Sequence, residues 1–281
     1  MSLYTYQHLQ ELGLPQRICL RLMPTLKRQR FQHGEILLRR GDTPVYWFHI
    51  ISGSVAASVP SHSGTSLPVD LYGAGSWFGE ELITTDLSSA LEFVCIGEVK
   101  AICLPMAEAK DAFKSEPDFA NRVISLVISR NRYQVELHSL TMFSGPELRV
   151  VVGLALLLKM QLKNWSETPK EKTSDQFDMQ ISQTMLSLIC RVSRSAFSEC
   201  IANLIEAGWI RSNYGSLKFL QVRKWMLFLE SYRSNRVNAQ KSTIEEIINA
   251  MNQADTEEII AMAISRQILN EIESHSPAIA D

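Results

Sequence analysis

Within Ile181-Ser182-Gln183-Thr184-Met185-Leu186-Ser187-Leu188-Ile189-Cys190-Arg191-Val192-Ser193-Arg194-Ser195-Ala196-Phe197-Ser198-Glu199-Cys200-Ile201-Ala202-Asn203-Leu204-Ile205, two helix starts follow one another closely. One helix begins after Ser182, the pattern breaks at residues 190–192, and a second helix starts with Ser193 as a good N-cap. Two short helices joined by a tight turn make the helix-turn-helix plan. On the second helix Phe197, Ile201, Leu204 and Ile205 have the spacing of a buried face, which turns Arg194, Ser195, Ser198, Glu199 and Ala202 outward. Small polar side chains let a helix enter a major groove about 12 Å wide, and an arginine in its first turn can offer two donors to guanine O6 and N7. Arg194 is therefore the candidate base reader. A solvated surface arginine is the competing reading, and its place at the start of this helix weighs against it.

The chain after this helix extends the motif. Gly208 ends it, and residues 209–211 and 218–220 flank Ser212-Asn213-Tyr214-Gly215-Ser216 as a β-hairpin. The expected unit is a winged helix-turn-helix. Arg211, Lys218, Arg223 and Lys224 are candidates for phosphate contact, which gives sequence-independent and salt-sensitive affinity. Net charge is only −2 but is unevenly placed. Residues 180–241 carry nine Lys/Arg against three acids, while residues 242–281 carry eight acids against Arg266 alone.

Working back toward the N-terminus, residues 3–26 read as amphipathic helix. Residues 31–104 alternate short β-rich runs with glycines: 35–38, 47–51, 54–59 and 98–104. Short strands with regular turns predict a jelly-roll barrel. Residues 117–142 then read as one helix nearly 40 Å long. Its stripe of Val123, Leu126, Val127, Tyr133, Val135, Leu137 and Leu140 suits either pairing with a second copy or packing on its own barrel. Residues 146–160 form an apolar helix whose longest run, 150–158, is about half of the roughly twenty residues a membrane span needs. Residues 163–175 are a polar loop. The fold class is thus α+β, divided as a β-roll (1–116), a long dimerisation helix (117–145), a winged helix-turn-helix (146–241) and an acidic helical extension (242–281).

Chemistry other than nucleic-acid binding finds little support. The six histidines are dispersed, and no nucleophile–base pair, metal-spaced cluster or phosphate loop emerges, so neither an enzyme nor a metal or other cofactor is expected. Cys19, Cys95, Cys103, Cys190 and Cys200 are scattered and odd in number, which fits a reducing cytoplasm rather than a disulfide framework. The first twenty-five residues hold no signal-peptide core, and no membrane association is expected. The rival to DNA binding is a ligand- or redox-sensing module acting through protein partners, for which buried small hydrophobes are the competing reading of the cysteines.

Taken in order, Gly41-Asp42, Ile51-Ser52-Gly53-Ser54-Val55, Phe78-Gly79-Glu80 and Ser193-Arg194 backed by Phe197, Ile201 and Leu204 resemble the CRP/FNR family of bacterial regulators over residues 15–225. The resemblance implies a cyclic nucleotide-binding-like roll and a homodimer formed through the long helix. It also implies double-stranded DNA bound at a roughly palindromic site, with RNA polymerase as a further partner. The pocket departs from the nucleotide-binding members, where an arginine-serine-alanine triplet neutralises the cyclic phosphate and a glutamate holds the ribose hydroxyl. Here the triplet is Ser88-Ser89-Ala90, and serine cannot supply an arginine's charged fork. Gln134-Val135 stands where small hydroxyl residues would meet the base. Gly79 and Glu80 are retained, so a degenerate pocket of Gly79, Glu80, Ser88 and Ser89 without the usual cyclic-nucleotide response is expected. The iron–sulfur branch needs an N-terminal cysteine cluster, and only Cys19 lies there. Arg191 occupies a turn where many members place glycine. Ser195 and Glu199 replace acidic and basic base-contacting residues, so the operator sequence should differ. Beyond the family's usual end, Ser242-Thr243-Ile244-Glu245 and Asp255-Thr256-Glu257-Glu258 both read as helix starts with acidic third positions, followed by stripes of Ile244, Ile247, Ile248 and Met251, and of Ile260, Ala263, Ile264 and Ile268.

Overall fold

The computed structural model describes residues 3–10, 14–60, 66–162, 175–234 and 242–253. The expected polar loop therefore falls outside the described residues except for Asp175, as does the second helix of the acidic extension.

The N-terminal helix divides in two, α1 (Leu3–Gln10) and α2 (Gln16–Leu22), the latter starting behind Pro15 and running into a 3₁₀ turn at Met23–Thr25. Six strands follow: β1 (Lys27–Phe31), β2 (Ile36–Leu38), β3 (Tyr46–Pro60), β4 (Ser66–Tyr72), β5 (Trp77–Phe78) and, after the short α3 (Glu81–Thr84), β6 (Glu92–Pro105). They form one antiparallel sheet ordered β1-β6-β3-β4, with β2 on β6 and β5 on β3. The runs expected separately at 47–51 and 54–59 are one bent strand, whose register with β6 shifts twice between Ile50 and Ser54. Gly53 makes the bend possible: φ is 88°, and a Cβ there would lie 2.3 Å from the Glu98 carbonyl oxygen. Strand β1, Lys-Arg-Gln-Arg-Phe, has no apolar alternation to announce it. Its backbone is ordered by pairing with the long, buried β6.

Helix α4 (Met106–Ser115) leads into α5 (Pro117–Phe143), 27 residues started by proline at its first position. Next comes α6 (Pro146–Gln161), in which every residue from Leu148 to Leu158 except Arg149 is buried. This is the buried helix expected from its apolar run, and no helix among the described residues is long and apolar enough to cross a membrane. The chain closes with β7 (Gln176–Gln180), α7 (Gln183–Ile189), α8 (Arg194–Glu206), β8 (Ile210–Asn213), β9 (Ser216–Leu220), α9 (Val222–Ser234) and α10 (Ile244–Gln253). Strands β7, β9 and β8 make a second small antiparallel sheet, of which β7 was not expected.

Two cores result. One fills the roll around Trp47, Phe78 and Phe93 and takes in Phe119 and Val123 of α5. The other surrounds α6 and takes in Tyr133, Leu137 and Leu140 of α5, Phe197, Ile201 and Leu204 of α8, and Ile247 and Met251 of α10. The roll and the C-terminal unit touch through β4 and α7. Leu71 of β4 belongs to the C-terminal core, and Gln161 Nε2 donates to its carbonyl at 2.9 Å.

The long helix corrects its expected stripe. Phe119, Val123, Tyr133, Leu137 and Leu140 face their own chain, whereas Val135 is 59% exposed. A second apolar row stands outside, with Ile124, Ile128, Val135 and Met142 all exposed. Their spacing of four, seven and seven follows a coiled-coil seam.

Candidate nucleic-acid interface and ligand pocket

Helix α8 is held from behind and open in front. Phe197, Ile201 and Leu204 are buried, while Arg194, Ser195, Ser198, Glu199 and Ala202 are exposed. Ile205, expected on the buried side, is 42% exposed. The Ser193 hydroxyl accepts from the Ala196 N–H at 3.2 Å and lies 3.1 Å from the Ser195 hydroxyl, so it serves the helix as its cap. Ser182 caps α7 in the same way through Met185 N–H. Between the two helices Arg191 takes the left-handed conformation, φ 55°, that glycine would adopt freely.

The hairpin turns on Tyr214-Gly215, with Asn213 opposite Ser216 and Arg211 opposite Lys218. Directly opposed side chains share a face, and two cations there repel unless an anion lies between them. Asp178 of β7 stands on the other side of Lys218. Gln183 Nε2 donates to the Ser212 hydroxyl at 2.9 Å, fixing the hairpin to α7. Arg223 and Lys224 are exposed at the start of α9.

Of the residues expected in a pocket of the roll, Glu80 is engaged by the protein's own long helix. Glu80, 1% exposed, packs against Arg130 of α5: the Arg130 Nε donates to Glu80 Oε1, and its Nη2 donates to the Trp77 carbonyl. Arg130 Nη1 lies 3.8 Å from Asp70 Oδ2, and the guanidinium carbon sits 4.1 Å from the centre of the Tyr72 ring. Burial opposes the charge on Arg130, but Tyr72, Glu80 and Asp70 outweigh it and hold the guanidinium above its ordinary pKa. For Asp70 burial dominates: its carboxyl is raised despite Arg130 and the hydrogen bonds from the Leu71 N–H and Tyr72.

The other expected pocket residues are not drawn into this cluster. Ser88 is exposed, and the buried Ser89 hydroxyl donates to the Leu91 carbonyl at 2.7 Å. Arg130 was not foreseen. The signal that could have found it is its position: 119, 123, 126, 130, 133, 137 and 140 recur at steps of four and three, and 130 alone among them is charged. A groove of about 700 Å³ lies elsewhere, between α5, α6 and α9. There Arg233 grips Glu136 at 2.6 and 2.7 Å and Lys159 meets Glu230 at 2.7 Å, so much of its charge is internally matched.

All five cysteines are buried free thiols. Burial pushes Cys95, Cys103 and Cys200 up to about 12 and raises Cys19 and Cys190 as well, which disfavours the reactive thiolate. Among the described residues no cluster of His, Cys, Asp and Glu is placed to hold a metal ion.

Residues 28–116 match the family model described as the cyclic nucleotide-binding domain. No curated protein matches the chain by sequence. Among solved structures, FixK2 from Bradyrhizobium japonicum is similar at 10% identity and a TM-score of 0.60, covering 78% of this chain and 98% of that one. The c-di-GMP responsive global regulator CLP from Xanthomonas campestris is 15% identical with a TM-score of 0.53, covering 73% and 99%. A transcriptional regulator of the CRP/FNR family from Thermus thermophilus is 20% identical with a TM-score of 0.50, covering 73% and 98%. Residues 28–116 are thus similar to the cyclic nucleotide-binding domain, and the chain shares its fold with FixK2, with CLP and with the CRP/FNR-family regulator from Thermus thermophilus.

Proposed function

We propose that this protein is a DNA-binding transcription regulator that reads a roughly palindromic double-stranded site as a homodimer, through a winged helix-turn-helix formed by α7, α8 and the β8–β9 hairpin. One observation carries the reading: α8 offers an exposed face of small and polar residues led by Arg194, over a fully packed back. Arg194 pairs with a guanine edge, Ser195 and Ser198 leave room for the groove floor, and Glu199 accepts from cytosine N4. Ser193 sets the helix start. Arg211 and Lys218 meet phosphate, which relieves their mutual repulsion across the hairpin.

The exposed row Ile124, Ile128, Val135 and Met142 supports a two-fold seam along α5. Such a pairing presents two copies of α8 to one duplex, which is why the site is expected to be palindromic. Cyclic nucleotides do not switch the protein, because the phosphate arginine is absent at Ser88 and the retained Glu80 already holds Arg130. RNA polymerase is the expected partner at the promoter.

Selection of bound sequences from a random duplex pool tests this, with wild type beside Arg194→Ala. The expected result is a twofold-symmetric motif that loses preference at one guanine per half-site, a discrimination of about 1–3 kcal/mol. Sequence-blind binding by both proteins would remove the assigned role of Arg194.

A further inference from the structure

Every nitrogen of the Arg130 guanidinium is engaged inside the roll. Nε meets Glu80, Nη2 meets the Trp77 carbonyl, Nη1 faces Asp70, and the planar face lies on Tyr72. These partners come from β4, β5 and the residue that opens α3, while the arginine comes from α5. A buried ion pair is costly to desolvate, and an aliphatic side chain at 130 would continue the inward stripe at lower cost. Aromatic face, carbonyl and carboxylates together make a recognition set for a planar cation. Two carboxylates face one cation, and Glu80 Oε2 is buried without a hydrogen-bond partner, so the site has no surplus positive charge for an anion.

We infer that the roll contains a guanidinium-binding site whose permanent ligand is the chain's own Arg130, and that this internal ligand takes the place of a diffusible effector. The route to the DNA-reading end is short. Asp70 and Tyr72 hold Arg130, and the residue between them, Leu71, packs in the C-terminal core and receives the Gln161 hydrogen bond from the end of α6. Gly73 lets Gln161 come this close, since a Cβ there would lie 1.7 Å from Gln161 Oε1. An occupied site therefore holds β4 against both α5 and α6. Only this coupling rests on the proposed DNA-binding role; occupancy of the site does not.

Chemical rescue of full-length Arg130→Ala provides the test. The variant should melt several degrees below wild type, and millimolar ethylguanidinium should return about 3–5 °C of that loss. Ethylammonium, which lacks the planar fork, and cyclic AMP should return none. The rescue should vanish when Glu80→Gln is added. If Arg130→Ala does not fold alone, refolding yield is read instead, and recovery specific to ethylguanidinium supports the site. No rescue, equal rescue by ethylammonium, or stabilisation of wild type by cyclic AMP overturns it. On the selected DNA site, Arg130→Ala should bind at least tenfold more weakly and recover with ethylguanidinium. Thermal rescue with unchanged DNA affinity overturns the coupling while the guanidinium site stands. If wild type binds no DNA at all, the functional reading falls and the thermal result still decides the site.

Discussion

Arg191 and Asp70 are both held in environments that their residue types disfavour, for opposite reasons. A left-handed backbone costs an L residue about 1–2 kcal/mol, yet Arg191 adopts it and the turn between α7 and α8 closes. Its N–H donates to the Leu188 carbonyl at 3.0 Å, its own carbonyl accepts from Arg149 at 3.3 Å, and its guanidinium lies 3.2 Å from His138 Nδ1. Neighbours on α5 and α6 thus fix a turn that glycine would have made more cheaply. At Asp70, burial raises the carboxyl above its usual value near 3.8 even beside Arg130. Folding therefore favours the protonated acid. The stability contributed by this group is present below the unfolded pKa and is lost as pH rises through the raised folded one. Asp70→Asn keeps an acceptor for the Leu71 N–H but gives up a carboxylate facing Arg130, so the pH dependence and not the absolute Tm reads the shift. The Tm of the variant relative to wild type is expected to rise as pH goes from 4 to 7; a Tm difference that does not change over that range would mean that folding leaves the Asp70 carboxyl unshifted.

At the scale of elements, α5 carries two jobs on two faces. Its inner row joins the roll core to the C-terminal core, and its outer row exposes four large apolar side chains. The proposed pairing of this row with a second copy would cost little entropy, because the backbone is already ordered. Ile128→Glu places a charge on that seam without touching the inner row. If the proposed seam pairs two copies, light scattering should find wild type as a dimer and the variant as a monomer at the same concentration. A dimer of unchanged strength would place the interface elsewhere.

The whole molecule is two cores bridged by α5 and β4, with α10 completing the second. Thr243 and Glu246 cap α10 reciprocally at 3.3 and 2.9 Å. Ile247 and Met251 are buried against α6, α8 and α9. The apolar stripe of this first extension helix therefore packs on its own chain and braces the back of α8. Ile247→Ala and Met251→Ala should each lower unfolding stability by about 2–5 kcal/mol, read by denaturant titration. Loss of less than about 1 kcal/mol from both would make α10 an appendage rather than part of the core. The sequence alone determined the elements built from local signals. The caps at Ser182 and Ser193, the buried row Phe197–Ile201–Leu204, the glycine hairpin at 214–215 and the length of α5 all follow from spacing within a few residues. Only tertiary structure decided which face of α5 turns inward, that the charged β1 is a strand, and that Arg130 meets Glu80 and Asp70. Glu80 and Asp70 lie fifty and sixty positions from Arg130, and β1 pairs through its backbone with a strand still further along the chain, and no local periodicity records a partner at such distances.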